Sequence, residues 1–248
     1  MFFSIKKIFM ISFINAFIVA CSREFPSEPV DSKIEIALDF MIDARDNQIY
    51  KIVTIGSQTW MAENLNYAYT DVSFYNGVFS SDSTSWCYYN KESNCDAYGR
   101  LYTWSAVMDS AGFISEKNGT LACGLGKKCK PNKPHRGVCP DGWHVPTQLE
   151  FDVLYKVIGG ENMAGLKLKS TSGWEGENGI DAVSFGILPA GFRYNGGAYM
   201  YMNERSAFWS ASEYGLGEAY VQVFSYGESV YPQRFSKLGC ASLRCIRD

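Results

Sequence analysis

The sequence predicts one α+β domain, and three observations carry that prediction. Its 248 residues are 46% hydrophobic and 20% charged, the composition of a chain that buries a core rather than staying disordered. Two segments with helical spacing of apolar residues come early. A run of short strands broken by turns fills the chain from about residue 183 onward. Charge narrows the partners. The formal net charge is −3, and with Lys6 and Lys7 in a removable leader the remainder stands at −5. An acidic chain with one short basic loop, Lys127 to Arg136, suits a polyanionic backbone poorly, so no nucleic-acid partner is expected.

Taken in order, residues 1–20 have the pattern of a signal peptide. Lys6-Lys7 form a basic start, and Ile8 to Ala20 form an apolar stretch shorter than the ~20 residues that span a bilayer. That stretch ends Ile18-Val19-Ala20-Cys21, which looks like a bacterial lipobox. Cleavage there leaves Cys21 as the N-terminus, diacylated on sulfur and acylated, as with palmitate, on nitrogen. Several chains anchor stably where one binds only marginally. The expected location is the bacterial cell envelope, lipid-anchored at the outer membrane and facing the periplasm or the exterior, with the membrane itself as a partner. Residues 21–40 read as the lipidated N-terminus and a flexible tether. Ser22 to about Asp39 carries Pro26, Pro29 and acidic residues with little apolar periodicity. The alternative for its end is a first strand at Ile34–Leu38. The folded domain is residues 41–248.

Within that domain, Ile49–Ile55 and Gln58–Ala62 flank Gly56-Ser57, the pattern of a hairpin with a type II′ turn. Tyr98–Ser110 has helical spacing, with Leu101, Trp104, Ala106 or Val107 and Met108 as its stripe. The second helix is the clearest. Thr147 caps it, Glu150 completes a capping box, Leu149, Phe151, Val153 and Leu154 precede Val157-Ile158, and Gly159-Gly160 ends it. Short strands follow at Val183–Leu188, Ala198–Met202, Phe208–Ser210, Ala219–Phe224, Ser229–Phe235 and Leu243–Ile246. No repeat of solenoid or propeller length is visible.

The cysteines add constraints. Cys87, Cys95, Cys123, Cys129, Cys139, Cys240 and Cys245 remain after Cys21, and an exported chain sees an oxidising compartment, so disulfides are the default. Zinc fits less well, because the gaps exceed C-x2-4-C and the chain has only 2 His. Cys87 with Cys95, and Cys123 with Cys129, can close short loops at low entropic cost. Cys139 then meets Cys240 or Cys245 across a loop of about 100 residues, a bridge expected to stabilise by several kcal/mol.

Six separated motifs resemble one family. They are Val53 through Tyr67 (VTIGSQTWMAENLNY), Tyr98-Gly99-Arg100-Leu101-Tyr102-Thr103-Trp104, Val138 through Thr147 (VCPDGWHVPT), Leu188-Pro189-Ala190-Gly191-Phe192-Arg193, Phe208 through Glu213 (FWSASE) and Leu243 through Asp248 (LRCIRD). In this order they resemble the Fibrobacter succinogenes major paralogous domain across residues 41–248. That family is similar to the C-type-lectin-like fold of formylglycine-generating enzymes, whose Leu-Pro-Thr-x-x-Glu-Trp helix start and terminal Phe-Arg-Cys are like His144–Phe151 and Leu243-Arg244-Cys245. The resemblance implies two helices beside small twisted antiparallel sheets, with long loops and disulfides. It also implies the bridge Cys139–Cys245 and leaves Cys240 as the free thiol.

Enzyme chemistry finds little support. G-x-S-x-G, H-E-x-x-H and the P-loop are absent, so no catalytic residue, cofactor or metal site is assigned. His144 reads as a structural histidine at a helix start, and His135 as an exposed one in the basic loop. Cys240 and Cys245 have the spacing of the copper-holding pair of formylglycine-generating enzymes, but there the pair lies upstream of the terminal cysteine. A copper oxidase of that type stays the remote alternative. A binding role rests on the tyrosines between Gly191 and Tyr231, whose rings suit the apolar faces of sugars. Tyr194, Tyr199, Tyr201, Glu213 and Tyr214 are the candidate ligand residues, with a polysaccharide or another envelope protein as partner. In C-type-lectin-like folds this region supplies the ligand loops. The competing reading is that tyrosine simply suits half-buried strands in a purely structural surface protein. The Glu-Pro-Asn and Trp-Asn-Asp triplets of calcium-dependent lectins are absent.

Overall fold

The computed structural model describes residues 38–70, 73–75, 80–82, 84–112, 114 and 123–248. The leader, Cys21 and the tether up to residue 37 lie outside the described residues. Leu38–Ile42 (β1) pairs antiparallel with Ile49–Ile55 (β2), Leu38 standing opposite Val53 and Ile42 opposite Ile49. The fold therefore takes in residues 38–40, which the sequence reading leaves to the tether, because the edge of β2 has donors and acceptors for them. From β2 the chain turns at Gly56, φ +61, into Gln58–Met61 (β3), as the hairpin pattern requires. Ser73–Tyr75 (β4) and Ser80–Asp82 (β5) pair with each other, and Ser85–Trp86 (β6) follows.

The single helix expected over Tyr98–Ser110 is not one helix. Glu92–Tyr98 (α1) stops at Gly99, where a side chain's first carbon would stand 2.7 Å from Cβ of Asn64, at φ +73. Leu101–Thr103 (β7) then runs as a strand with all three residues buried, and Thr103 caps the one-turn helix Trp104–Val107 (α2). A strand covered on both faces has no alternation, so its apolar run mimics helical spacing.

After Trp143–His144 (β8) comes Gln148–Val157 (α3), where the capping box forms as expected: Thr147 Oγ1 accepts from the Glu150 N–H, and Glu150 Oε2 accepts from the Thr147 N–H at 2.7 Å. The buried stripe is Phe151, Leu154 and Tyr155, whereas Leu149 is 73% exposed. A further helix, Glu161–Leu168 (α4), has too weak an apolar stripe to read from sequence. Val183–Leu188 is not a strand. Val183, Phe185 and Ile187 are buried alternately, but Ser184 and Gly186 both sit at φ +57, which breaks any ladder. Ala190–Arg193 (β9) and Tyr199–Met202 (β10) form a hairpin, followed by Ser206–Glu213 (β11), Glu218–Phe224 (β12) and Tyr231–Ser236 (β13). Cys240–Ala241 (β14) and Ile246–Arg247 (β15) close the chain, so the strand expected at Leu243–Ile246 reduces to its end.

One sheet has the order β1-β2-β3-β15-β8, which seats the last strand between an early one and a middle one. The other runs β13-β12-β11-β9-β14-β7-β6, with β10 on β9. Both faces of β11–β12 are covered: Trp209 and Val221 face one core with Trp104 and Phe192, and Phe208 and Phe224 face another with Trp60, Phe151 and Tyr155. Three disulfides brace these layers: Cys87–Cys95, Cys123–Cys129 and Cys139–Cys245. Cys240 is a buried free cysteine.

Buried cations are held by acceptors in the fold. Arg244 donates from Nε to Asn64 Oδ1 at 2.9 Å, and from its other nitrogens to the carbonyls of Phe185 and Gly186. Lys237 Nζ pairs with Glu213 at 2.5 Å and donates to the Lys127 carbonyl at 3.0 Å, with the Trp104 ring beneath it. Lys169 Nζ donates to the carbonyls of Glu177 and Ser225.

Candidate functional site

The histidines serve the fold. His144 Nδ1 lies 2.7 Å from Asp248 Oδ1 and Nε2 lies 2.8 Å from Glu150 Oε1, so both ring nitrogens are engaged. Burial works against its charge, but the two carboxylates win and raise its pKa above the ordinary value. His135 is buried rather than exposed, because its loop turns Nε2 to the Met108 carbonyl at 3.0 Å, and burial lowers its pKa. Cys245 is bridged to Cys139, and burial pushes the Cys240 thiol up to about 12, so these two do not form a thiolate pair. The grouping of Cys87, Glu92 and Cys95 offers a metal no thiolates, since its two sulfurs are bonded to each other.

Three surface features remain. A cleft of about 170 Å³ lies against Tyr50, Asn64, Asn66, Asp96, Gly99 and Arg244. It is smaller than the ~300–1,000 Å³ usual for ligand pockets. Its floor groups Arg244 and Asn64 already bond each other, although Asn66 Oδ1 is buried without a partner. A shallow, open depression carries Tyr214, Glu218, Tyr220 and Arg234. There Arg234 Nη1 donates to the Tyr214 hydroxyl at 3.1 Å and stacks on the same ring, so the pair largely satisfies itself.

The third feature is an aromatic platform on one face of the β9–β10 hairpin. The Cys87–Cys95 bridge holds the turn Tyr88–Asn90 against Tyr199. The Tyr88, Tyr89 and Tyr199 rings lie 4.7–5.4 Å apart at steep angles. Tyr199 donates its hydroxyl to Asn90 Oδ1 at 2.8 Å. Tyr89, 57% exposed, and Asn90 both have left-handed backbone, φ +55 and +56. Such a conformation costs a bulky residue of order 1 kcal/mol or more, and strained residues of this kind gather at functional sites. Arg193, directly opposite Tyr199 in the register, stacks on Trp86 at 4.3 Å and lies 5.6 Å from the Tyr199 ring. Burial raises the Tyr199 pKa, with Arg193 pulling the other way.

The structure thus divides the ligand residues expected from sequence. Tyr199 belongs to the platform. Tyr194 packs on Phe192, as does Tyr201, whose φ of +65 turns it to the other face of the hairpin. Glu213 is spent on Lys237 and on the Cys129 N–H, which takes it out of any ligand set. Tyr214 stands in the separate depression. Sequence reasoning missed Trp86, Tyr88, Tyr89, Asn90 and Arg193. The signal available for Tyr88, Tyr89 and Asn90 was a Tyr-Tyr-Asn run inside one of the two short plausible cysteine loops.

The chain belongs to the Fibrobacter succinogenes major domain family, whose sequence model matches residues 53–247, from within β2 to the end of β15. No curated protein and no solved structure matches it.

Proposed function

We propose that this chain is a non-catalytic binding module of the bacterial cell envelope, held to the outer membrane by lipid on Cys21, and that it binds a glycan or another envelope component. The single observation that carries the reading is the bridge-braced platform of exposed Tyr89 and half-buried Tyr199 beside Asn90. Aromatic faces cover the apolar side of a sugar, and a neighbouring amide and hydroxyl meet its polar rim. Short helices beside curled, mostly antiparallel sheets, long loops and three bridges support a C-type-lectin-like relationship. The lipobox-like Ile18–Cys21 supports the anchor. Among the described residues no helix is long and apolar enough to cross a membrane.

One experiment tests both parts. Cys21→Ser should leave the membrane fraction for the soluble one, and that soluble protein should be retained on insoluble cell-wall polysaccharide. Adding Tyr89→Ala and Tyr199→Ala should abolish retention while the melting temperature holds. Membrane partitioning unaffected by Cys21→Ser would refute the anchor. Retention unaffected by the two tyrosine changes would refute the platform.

A further inference from the structure

We infer that the Arg193 face of the hairpin takes the carboxylate of an acidic saccharide; this rests on the glycan reading above and narrows it. The argument starts from unmet donors. A guanidinium has five N–H groups and no acceptor. Among the described residues Arg193 makes a long hydrogen bond from Nη1 to Cys240 Sγ at 3.9 Å and a side-chain hydrogen bond to the Tyr199 phenol, and its Nε is buried with no partner. No carboxylate lies within 4 Å of it among the described residues, although the chain as a whole is acidic. Glu92 is turned to Arg100 at 3.5 Å.

The guanidinium is nevertheless fixed in place. Trp86 lies under it at 4.3 Å, and Tyr199 flanks it. At Gly197, φ +91, the first carbon of a side chain would stand 3.2 Å from Nη2, so glycine keeps that edge uncovered. With Nε buried, it is the terminal Nη1–Nη2 edge of this stacked, preorganised cation that a planar carboxylate can meet with two parallel hydrogen bonds. The exposed Tyr89 ring and Asn90 sit across Tyr199 from it, so a sugar ring on the platform would carry its carboxylate towards Arg193. A uronic-acid residue combines both groups.

The test is calorimetric titration of the full-length chain with trigalacturonate and with its fully methyl-esterified form, which differ only in the charged group. The acid should bind at least tenfold more tightly than the ester, and added salt should erode the difference. Arg193→Gln should remove the preference, and Arg193→Lys should restore only part of it, because an ammonium lacks the planar fork. Arg205 is a fair control. It stacks on Tyr201 at the other face with its Nε also unpartnered, so Arg205→Gln removes the same charge and should leave the preference intact. Equal binding of acid and ester, or a preference that survives Arg193→Gln, would overturn the inference. Retention of neutral polysaccharide alone would overturn it while leaving the glycan reading standing. Binding of no saccharide at all would overturn both.

Discussion

The C-terminal segment Leu243–Asp248 and the β9–β10 hairpin treat their polar groups in opposite ways. In the C-terminal segment Arg244 finds three acceptors, Cys245 is bridged, and Asp248 holds His144. The carbonyls of Leu243 and Cys245 take the N–H groups of Leu65 and Met61. In the hairpin Arg193 and Arg205 are only half-buried and their Nε groups have no partner, Tyr194 and Met200 are exposed, and Tyr201 and Asn203 have left-handed backbone. An unmet buried donor costs about 1–3 kcal/mol, whereas a met one contributes about 1. A segment that closes its polar groups internally serves the fold. One that leaves them open gains most from an outside partner.

The strongest way to break this comparison is to cut the clasp. Cys139–Cys245 spans a sequence separation of 106 and pins β15 between β3 and β8. In the chain-entropy account a loop of that size is worth about 4–5 kcal/mol. Cys139→Ser should lower the unfolding free energy in urea by about that amount. A loss under ~1 kcal/mol would mean that the segment is held by its hydrogen bonds alone.

The two regions also differ in how well the sequence reveals them. The clasp was legible because its parts are local or chemically marked: the capping box at Thr147, the Gly-Ser turn that starts β3, and cysteines in two separated motifs. The hairpin strands were legible only in part. β10 follows from its tyrosines, but β9 hides in a buried run with no alternation. The platform was not legible. Tyr199 was marked, yet its partners come from a loop more than a hundred positions earlier, and pairing at that distance leaves no periodic trace. Tyr201 was misdirected for a local reason. Its left-handed backbone reverses the side that a regular alternation assigns it.

A smaller effect sharpens the clasp through pH. His144 has a raised folded pKa despite burial, because of Glu150 and Asp248, so its contribution is complete below about 6.5 and is lost as pH rises through the folded value. Glu150 is lowered. Burial opposes this, but His144 and Thr147 outweigh it, so its share is present above 4.5 and is lost as pH falls through its folded value. The urea midpoint should therefore peak between about pH 4.5 and 6.5 and decline above. The decline should stay under about 1 kcal/mol, because Asp248 is 48% exposed and solvent screens it. His144→Ala should flatten the decline. A profile that still falls above pH 6.5 in the variant would place the effect elsewhere.

The smallest effect belongs to Cys240, which lies under the hairpin and joins it to β7. Its backbone pairs with Thr103 on one side and Arg193 on the other, and its side chain packs with Tyr88 and Leu101. Burial holds the thiol neutral, with a pKa near 12, so it behaves as a small apolar group and not as a thiolate. Replacing it by serine buries a hydroxyl, which costs about 1–3 kcal/mol when unpaired. Arg193 Nη1, now bonded only weakly to sulfur, is positioned to donate to that oxygen and offset the cost. Cys240→Ser should therefore change stability by less than about 1 kcal/mol. In the wild type the thiol should resist alkylation until urea unfolds the chain. Rapid alkylation of the native protein, or a loss as large as that for Cys139→Ser, would mean that the ground beneath Arg193 is part of the clasp, and the contrast between the two regions would fail.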